Sequence, residues 1–416
     1  MRTCQALRHH GAKPLLDHGV SLATHTHFVS FLEFMLSDEQ FRFLHFHTLE
    51  IVSSPVRSSK AIEALYGLIT HPLLSIHTLA LLDAEMTLKV SPPLAGSSTA
   101  DRRPYHPLPF FAALSALTTL THLAVSDCGP LTSAFLRALR APLESATLDF
   151  LPRGPAMAWA ALPAYCRGDT DPVTLLRACA GSLRTLRGTG FGAAATPSGH
   201  EGKNEEEIVY PHVRVVEATY VPWLLESGGR HAEGALPHTA RYARAFPRLT
   251  RLALSSTAED GGASTGAGAV WEDAGRVAAR REALVALRVA NRAALARCGE
   301  GVWEGIEEVC GGLGTLYALA LVREVRRVVV EGGVGSAEQW MLRAVLRDAR
   351  PAALVATFVG AQETFGTSAV RGTALSLAEG TARLVEMELV VKFEAGEGNT
   401  DVSVVLVSGM IEKTRR

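Results

Sequence analysis

The chain has no surplus of charge of either sign: 41 Lys and Arg stand against 42 Asp and Glu in 416 residues. A general nucleic-acid binder or a polybasic membrane binder draws its affinity from such a surplus, so both classes are disfavoured. Cysteine is sparse and unpaired in sequence. Cys4, Cys128, Cys166, Cys179, Cys298 and Cys310 include no C-x-x-C and no dense spacing, which fits a reducing compartment rather than a disulfide framework. The N-terminal run MRTCQALRHHGAKPLLDHG lacks the uninterrupted apolar core of a signal peptide. The most apolar stretch, Leu316 to Val322, is far shorter than the roughly 20 residues needed to span a bilayer. No N-x-S/T acceptor occurs. These absences lead to the expectation of an intracellular protein, cytoplasmic or nuclear, without nucleic acid or membrane as partner.

What the chain does have is apolar content, 47% of its residues, over a length that exceeds one ordinary core. Two or three domains or one elongated repeat array can bury that much surface. A pattern apolar-x-x-apolar-x-apolar keeps returning: Phe46-Leu49-Ile51, Ile76-Leu79-Leu81, Leu120-Leu123-Val125, Leu249-Leu252-Leu254, Leu284-Leu287-Val289 and Val325-Val328-Val330. Weaker copies centre on Leu148, Leu186, Val216 and Phe358. The last two apolar positions alternate, so each copy reads as a short strand with one buried face. Between the copies lie helical stripes, such as Ile62, Leu65, Tyr66 and Ile69, or Phe135, Leu136 and Leu139. Val302, Ile306 and Val309 read as another stripe, stopped by Gly311-Gly312, and Ser336 with Gln339 as a capping box. Asp171 is placed to cap a helix starting at Pro172. Pro72, Pro142, Pro211, Pro247 and Pro351 each precede a strand centre by five to seven residues. Proline cannot continue a helix and pushes its predecessor toward extended geometry. Helix, proline, strand is the repeating unit.

Units of this kind share a core only when stacked, with parallel strands and right-handed helical crossovers. The expected fold is therefore α/β: a leucine-rich-repeat-like solenoid with a curved parallel sheet and outer helices. A short helical segment occupies residues 1–36, the irregular repeats 37–383, and a β-hairpin cap and tail 384–416. The hairpin is read from the β-rich runs Leu384–Phe393 and Val402–Val407 around the turn cluster AGEGNTD. An ordinary mixed α/β domain is the alternative.

The runs MRTCQALRHHGAKPLLDHGVSL, FVSFLEFML and FRFLHFHTLEI resemble the N-terminal part of fungal, mushroom-type F-box proteins with leucine-rich repeats, whose last F-box helix carries a motif like MRTC-x-x-L. LTTLTHLAVSDCG, LTSAFLRALRAPLESATLDF, AFPRLTRLAL and MLRAVLRDARP extend the resemblance over most of the chain. It implies substrate recruitment to an SCF-type cullin–RING ubiquitin ligase through a Skp-type adaptor. Only Met1 to about Leu16 matches the F-box, whose adaptor-gripping Leu-Pro half has no counterpart here. The expectation is weak or no adaptor binding, with Leu7, Leu15 and Leu16 as the adaptor-facing helix residues.

Chemical signatures are thin. Gly262, Ser264 and Gly266 spell G-x-S-x-G, but a nucleophile elbow needs a strand running into it and a histidine downstream. All fifteen histidines lie between His9 and His238. A serine hydrolase using Ser264 is thus the remote alternative. His25/His27 and His45/His47 would share a strand face and offer two imidazoles to a metal, without further ligands at suggestive spacing. Gly188, Gly190 and Gly192 are followed by no Lys-Ser/Thr. Asp169 and Asp171 read as turn and cap residues, Glu205–Glu207 as a solvated loop. The sequence thus predicts no enzyme, no cofactor and no metal, but a monomeric interaction scaffold, with ligase-independent binding as the alternative. Its partner would meet the concave face through the outward strand positions Glu50, His122, Ser126, Glu217, Arg251, Ser255 and Arg288.

Overall fold

The computed structural model describes residues 12–17, 19–22, 24–37, 42–51, 59–88, 109–150, 170–191, 208–220, 239–256, 274–299, 301–335, 338–359, 384–392 and 401–407. The chain divides into two compact units, Met1–Gly190 and Phe191–Arg416, a partition that cuts through the expected repeat segment.

The first unit runs α1 (Ala12–Asp17), β1 (Val20–Leu22), α2 (His25–Leu36), β2 (Thr48–Ile51), α3 (Ser59–Ile69), β3 (Thr78–Leu81), α4 (Ala84–Leu88), α5 (Pro109–Ser115), β4 (His122–Val125), α6 (Pro130–Ala138), β5 (Ser145–Asp149), α7 (Pro172–Leu175) and β6 (Thr185–Phe191). Each strand pairs in parallel with the next in sequence, from β1 to β6. Register is strict. Leu49, Leu79, Leu123, Ala146 and Leu186 form one row, and all five are buried. Alternation sends their neighbours to the other face: Thr48, Thr78, His122, Ser145 and Thr185 are half-buried or exposed. Helices cover the buried face, where Phe28, Leu32 and Met35 of α2 meet the core built by Phe43, Phe46, Leu65 and Leu68.

Successive strand–helix units are also joined by polar contacts. Gly129, the residue before α6, has no side chain to cap that helix. Glu85 of α4 supplies one instead, accepting from Leu131 N and Thr132 N at 3.1 Å each. The predicted Asp171 cap is present, its carboxylate accepting from Val173 N and Thr174 N. The five prolines singled out above all lie in the connections leading into strands.

The second unit runs β7 (Val215–Tyr220), α8 (Thr239–Ala245), β8 (Arg251–Ser256), α9 (Ala274–Arg297), β9 (Glu308–Gly312), α10 (Leu313–Leu319), β10 (Arg327–Val334), α11 (Gln339–Ala349), β11 (Ala353–Val359), β12 (Glu386–Lys392) and β13 (Asp401–Val407). β7 to β12 pair in parallel in sequence order, and β13 returns antiparallel on β12. The C-terminal hairpin is therefore present, closing the parallel run.

Two readings are corrected here. The copy Leu284-Leu287-Val289 is not a strand but part of the 24-residue helix α9. Spacings of three and two residues also occur on a helix. The surrounding Ala- and Arg-rich sequence, with few β-branched residues, has high helical propensity that decides the matter. Conversely, Val309 is no helical residue. It lies in β9, in register with Leu252 and Val328. Gly311 and Gly312 belong to that strand instead of stopping a helix. Ser336 of the expected capping box lies outside the described residues, and Glu338 precedes α11 without a side-chain cap.

Candidate functional site on the open sheet faces

In each unit the described strands follow one another in sequence order, so among them there is no reversal of strand order of the kind that opens a ligand crevice in doubly wound α/β folds. What the folding leaves available is the face of the parallel strands turned away from the core. Parallel sheets are usually covered on both sides. Here one set of alternating positions is buried and the other mostly is not, β9 being buried on both sides beyond Glu308.

On the first unit this face is mostly small and hydroxylic. Glu50 sits half-buried in a row with Ser21, Ala80, Ala124, Thr147 and Arg187. His122 is exposed in the row Thr48–Thr78–His122–Ser145–Thr185. Ser126, expected to be outward, is 6% exposed. The strand has already ended, Asp127 turns at φ 52°, and the Ser126 hydroxyl donates to Leu82 O at 2.8 Å. It is removed from the face.

On the second unit the face carries a ladder of alternating charge. Arg251 Nη1 lies 3.2 Å from Glu217 Oε1, and its Nε lies 3.0 Å from Glu308 Oε1. Arg327 Nη1 approaches the other Glu308 oxygen at 3.8 Å. Arg251, Glu308 and Arg327 are register neighbours on β8, β9 and β10. Ser255 shares a hydroxyl contact of 3.0 Å with Thr219. Cys310, one row on, donates its Sγ–H to Glu331 Oε1 at 3.1 Å. Burial and that carboxylate push its thiol up to about 12, so it is held protonated and non-nucleophilic. Burial likewise raises Cys179 to about 11 and Cys128 well above the ordinary range.

Arg288 is the second correction to the expected set. It projects from α9 into the core of the unit, not from a strand. It forms an ion pair with Asp348, donates to Tyr317 O and Ala344 O, and stacks 4.3 Å over the Tyr317 ring. The void beside it, lined by Val309, Leu316, Val328 and Val345, has room for about one water. Leu16, expected to face an adaptor, is 2% exposed and belongs to the core. Leu7 and the Leu15 side chain lie outside the described residues, as do Ser264, Asp169 and Glu205–Glu207.

The histidine pairs do not converge. His25 and His27 open α2, where His27 N is bound by the Thr24 hydroxyl. His45 sits in a single helical turn, its Nδ1 3.8 Å from Asp17 Oδ1, and His47 stacks on His77 at 4.9 Å. Among the described residues no three His, Cys, Asp or Glu side chains are placed to hold a metal, and no helix is long and apolar enough to cross a membrane.

Sequence reasoning missed two members of the charged ladder. Arg327 stood one residue before Val328 in a recognised copy, so alternation alone placed it outward. Glu308 was hidden by the helical reading of Val302–Val309. Compared with known proteins, the chain matches no family model and no curated protein.

Proposed function

We propose that the chain is a non-catalytic, intracellular protein-interaction scaffold of leucine-rich-repeat-like type, which takes a protein partner on the open faces of its parallel strands. One observation carries the reading: on both units alternate strand residues are mostly left off the core, in rows that run across consecutive strands, with buried Cys310 of β9 an exception. Such rows offer many adjacent positions that vary without disturbing packing. The charged ladder Glu217–Arg251–Glu308–Arg327 supplies register and specificity more than raw affinity. Glu50, His122 and Ser255 extend the contact set.

Within that reading, the family resemblance points to a substrate receptor of an SCF-type ubiquitin ligase or a degenerate relative. A ligase-independent scaffold is the second reading, favoured by the burial of Leu16, which withdraws that residue from any adaptor. Calorimetry with a purified Skp-type adaptor separates the two. A sub-micromolar dissociation constant, about −8 kcal/mol or tighter, supports the receptor. No heat of binding at tens of micromolar supports the ligase-independent scaffold.

A further inference from the structure

α9 is docked on its unit by one face only. Leu284, Leu287 and Leu295 are half-buried, Arg288 and Asn291 are buried, and Asn291 donates to Ala318 O at 2.8 Å. A surface helix ordinarily turns charged and polar residues to solvent on its opposite side. α9 turns out alanine and valine between its charged residues Arg281, Glu282, Arg292 and Arg297. Ala278, Ala279, Ala286, Ala293 and Ala296 are exposed, Val285 is 39% exposed and Val289 64%.

The outward residues Ala278, Glu282, Val285, Val289, Arg292 and Ala296 recur at spacings of four, three, four, three and four. That is a heptad seam of a and d positions. One flank of the seam, Ala279, Ala286 and Ala293, is alanine throughout, which permits a second helix to approach closely.

The seam is complementary to itself when reversed. In an antiparallel pair each a position meets a d position of the partner. About a dyad level with residue 287, Val285 meets Val289, Ala278 meets Ala296, and Glu282 meets Arg292. Every layer is matched in size or opposite in charge. A parallel pair would set Glu282 on Glu282 and Arg292 on Arg292. In its own chain Arg292 Nη1 lies 3.6 Å from Asp348 Oδ2, and its side chain is 56% exposed. Asp348 is already bound by Arg288, so Arg292 is able to turn outward without leaving that carboxylate unpaired.

We propose that α9 forms an antiparallel two-helix coiled coil with α9 of a second copy of this chain, making a symmetric dimer over about 28 Å of helix. This goes beyond the partner-binding reading and does not depend on it, because the seam lies on the helical side of the unit. It departs from the expectation of a monomer. Polyanion binding would not call for two exposed valines and a glutamate along the contact line, whereas a second copy satisfies all six positions.

Sedimentation equilibrium of the full chain over a concentration series tests the pairing, with circular dichroism as the check on folding. The wild type is expected to be a reversible dimer. Glu282→Arg and Arg292→Glu should each weaken it at least about tenfold, and the double reversal should restore it to within about threefold. Val289→Lys should abolish it. Should Arg292→Glu disturb the fold through Asp348, Glu282→Arg and Val289→Lys decide alone. Mixing Val285→Cys chains with Val289→Cys chains should give an intermolecular disulfide that neither variant forms by itself. A monomer throughout the series at low salt overturns the proposal. So does a dimer indifferent to Glu282→Arg and Val289→Lys.

Discussion

Arg251 is held between two carboxylates from neighbouring strands, Glu217 Oε1 at 3.2 Å and Glu308 Oε1 at 3.0 Å. Its side chain is nearly half exposed, so solvent screens both pairs and their contribution to stability is small. Replacing it with Ala leaves two carboxylates facing each other across the gap. The expected loss is below about 1 kcal/mol, measured by urea unfolding. The larger effect is expected on partner binding, where the removed charge sets the register of the contact.

Gly311 of β9 lies hard against the backbone of Leu254 on β8. A Cβ built there would meet Leu254 O at 2.1 Å, backbone against side chain with nothing flexible to yield. Gly311→Ala is expected to destabilise the fold by about 2 kcal/mol or more. Gly181→Ala, where a Cβ meets open space, should change stability by less than about 1 kcal/mol. Paired denaturant titrations compare the two, and equal effects would contradict the close approach.

The Arg288–Asp348 pair fixes α9 to α10 and α11. Arg288→Ala removes the nearest partner of the buried Asp348 carboxylate, which then keeps only the more distant Arg347 and Arg292 at 3.5 and 3.6 Å, and takes one donor from the carbonyls of Tyr317 and Ala344. The expected cost is about 3–5 kcal/mol. Replacing both partners with apolar residues, as in Arg288→Met with Asp348→Leu, should recover much of it, because no charge is then stranded. Recovery is read from the midpoint of chemical unfolding.

The fold holds the Cys310 thiol in its neutral form. Its folded pKa, about 12, lies above the ordinary value near 9. The associated stability is therefore whole below pH 9 and is lost as pH rises from about 9 toward 12. The alkaline fall in melting temperature should be shallower in Cys310→Ala than in the wild type. At pH 8, iodoacetamide should modify Cys310 and Cys179 at least about tenfold more slowly than a free thiol, followed cysteine by cysteine by mass spectrometry.

Most of the parallel strands were legible because their apolar alternation is dictated by a one-sided core. Leu49, Leu79, Leu123, Leu252 and Val328 occupy the expected row positions within their units. The prolines marked the connections for an equally local reason. The failures are places where the local pattern fits two periods. Leu284-Leu287-Val289 satisfies the strand template, yet Ala and Arg around it favour a helix, and Val289 is left in solvent. EVCGG satisfies neither period well, since Gly311 is demanded by the neighbouring strand rather than by its own sequence. Of the expected outward residues, Glu50, His122, Glu217, Arg251 and Ser255 lie on the open faces, whereas Ser126 and Arg288 do not. Alternation predicts a side chain's direction only while the strand lasts, and Ser126 lies just past its end.

The claim that the open strand faces bind a partner is tested most directly by quantitative affinity capture with mass spectrometry. The wild type would be compared with a chain carrying Ala at Glu50, His122, Glu217, Arg251 and Ser255, with Val289→Lys on α9 as a control variant and circular dichroism confirming all three folds. The account predicts that at least one protein captured reproducibly by the wild type and by Val289→Lys falls at least about tenfold with the five-Ala chain. If every captured protein is retained equally by the five-Ala chain, the strand faces are not the binding surface.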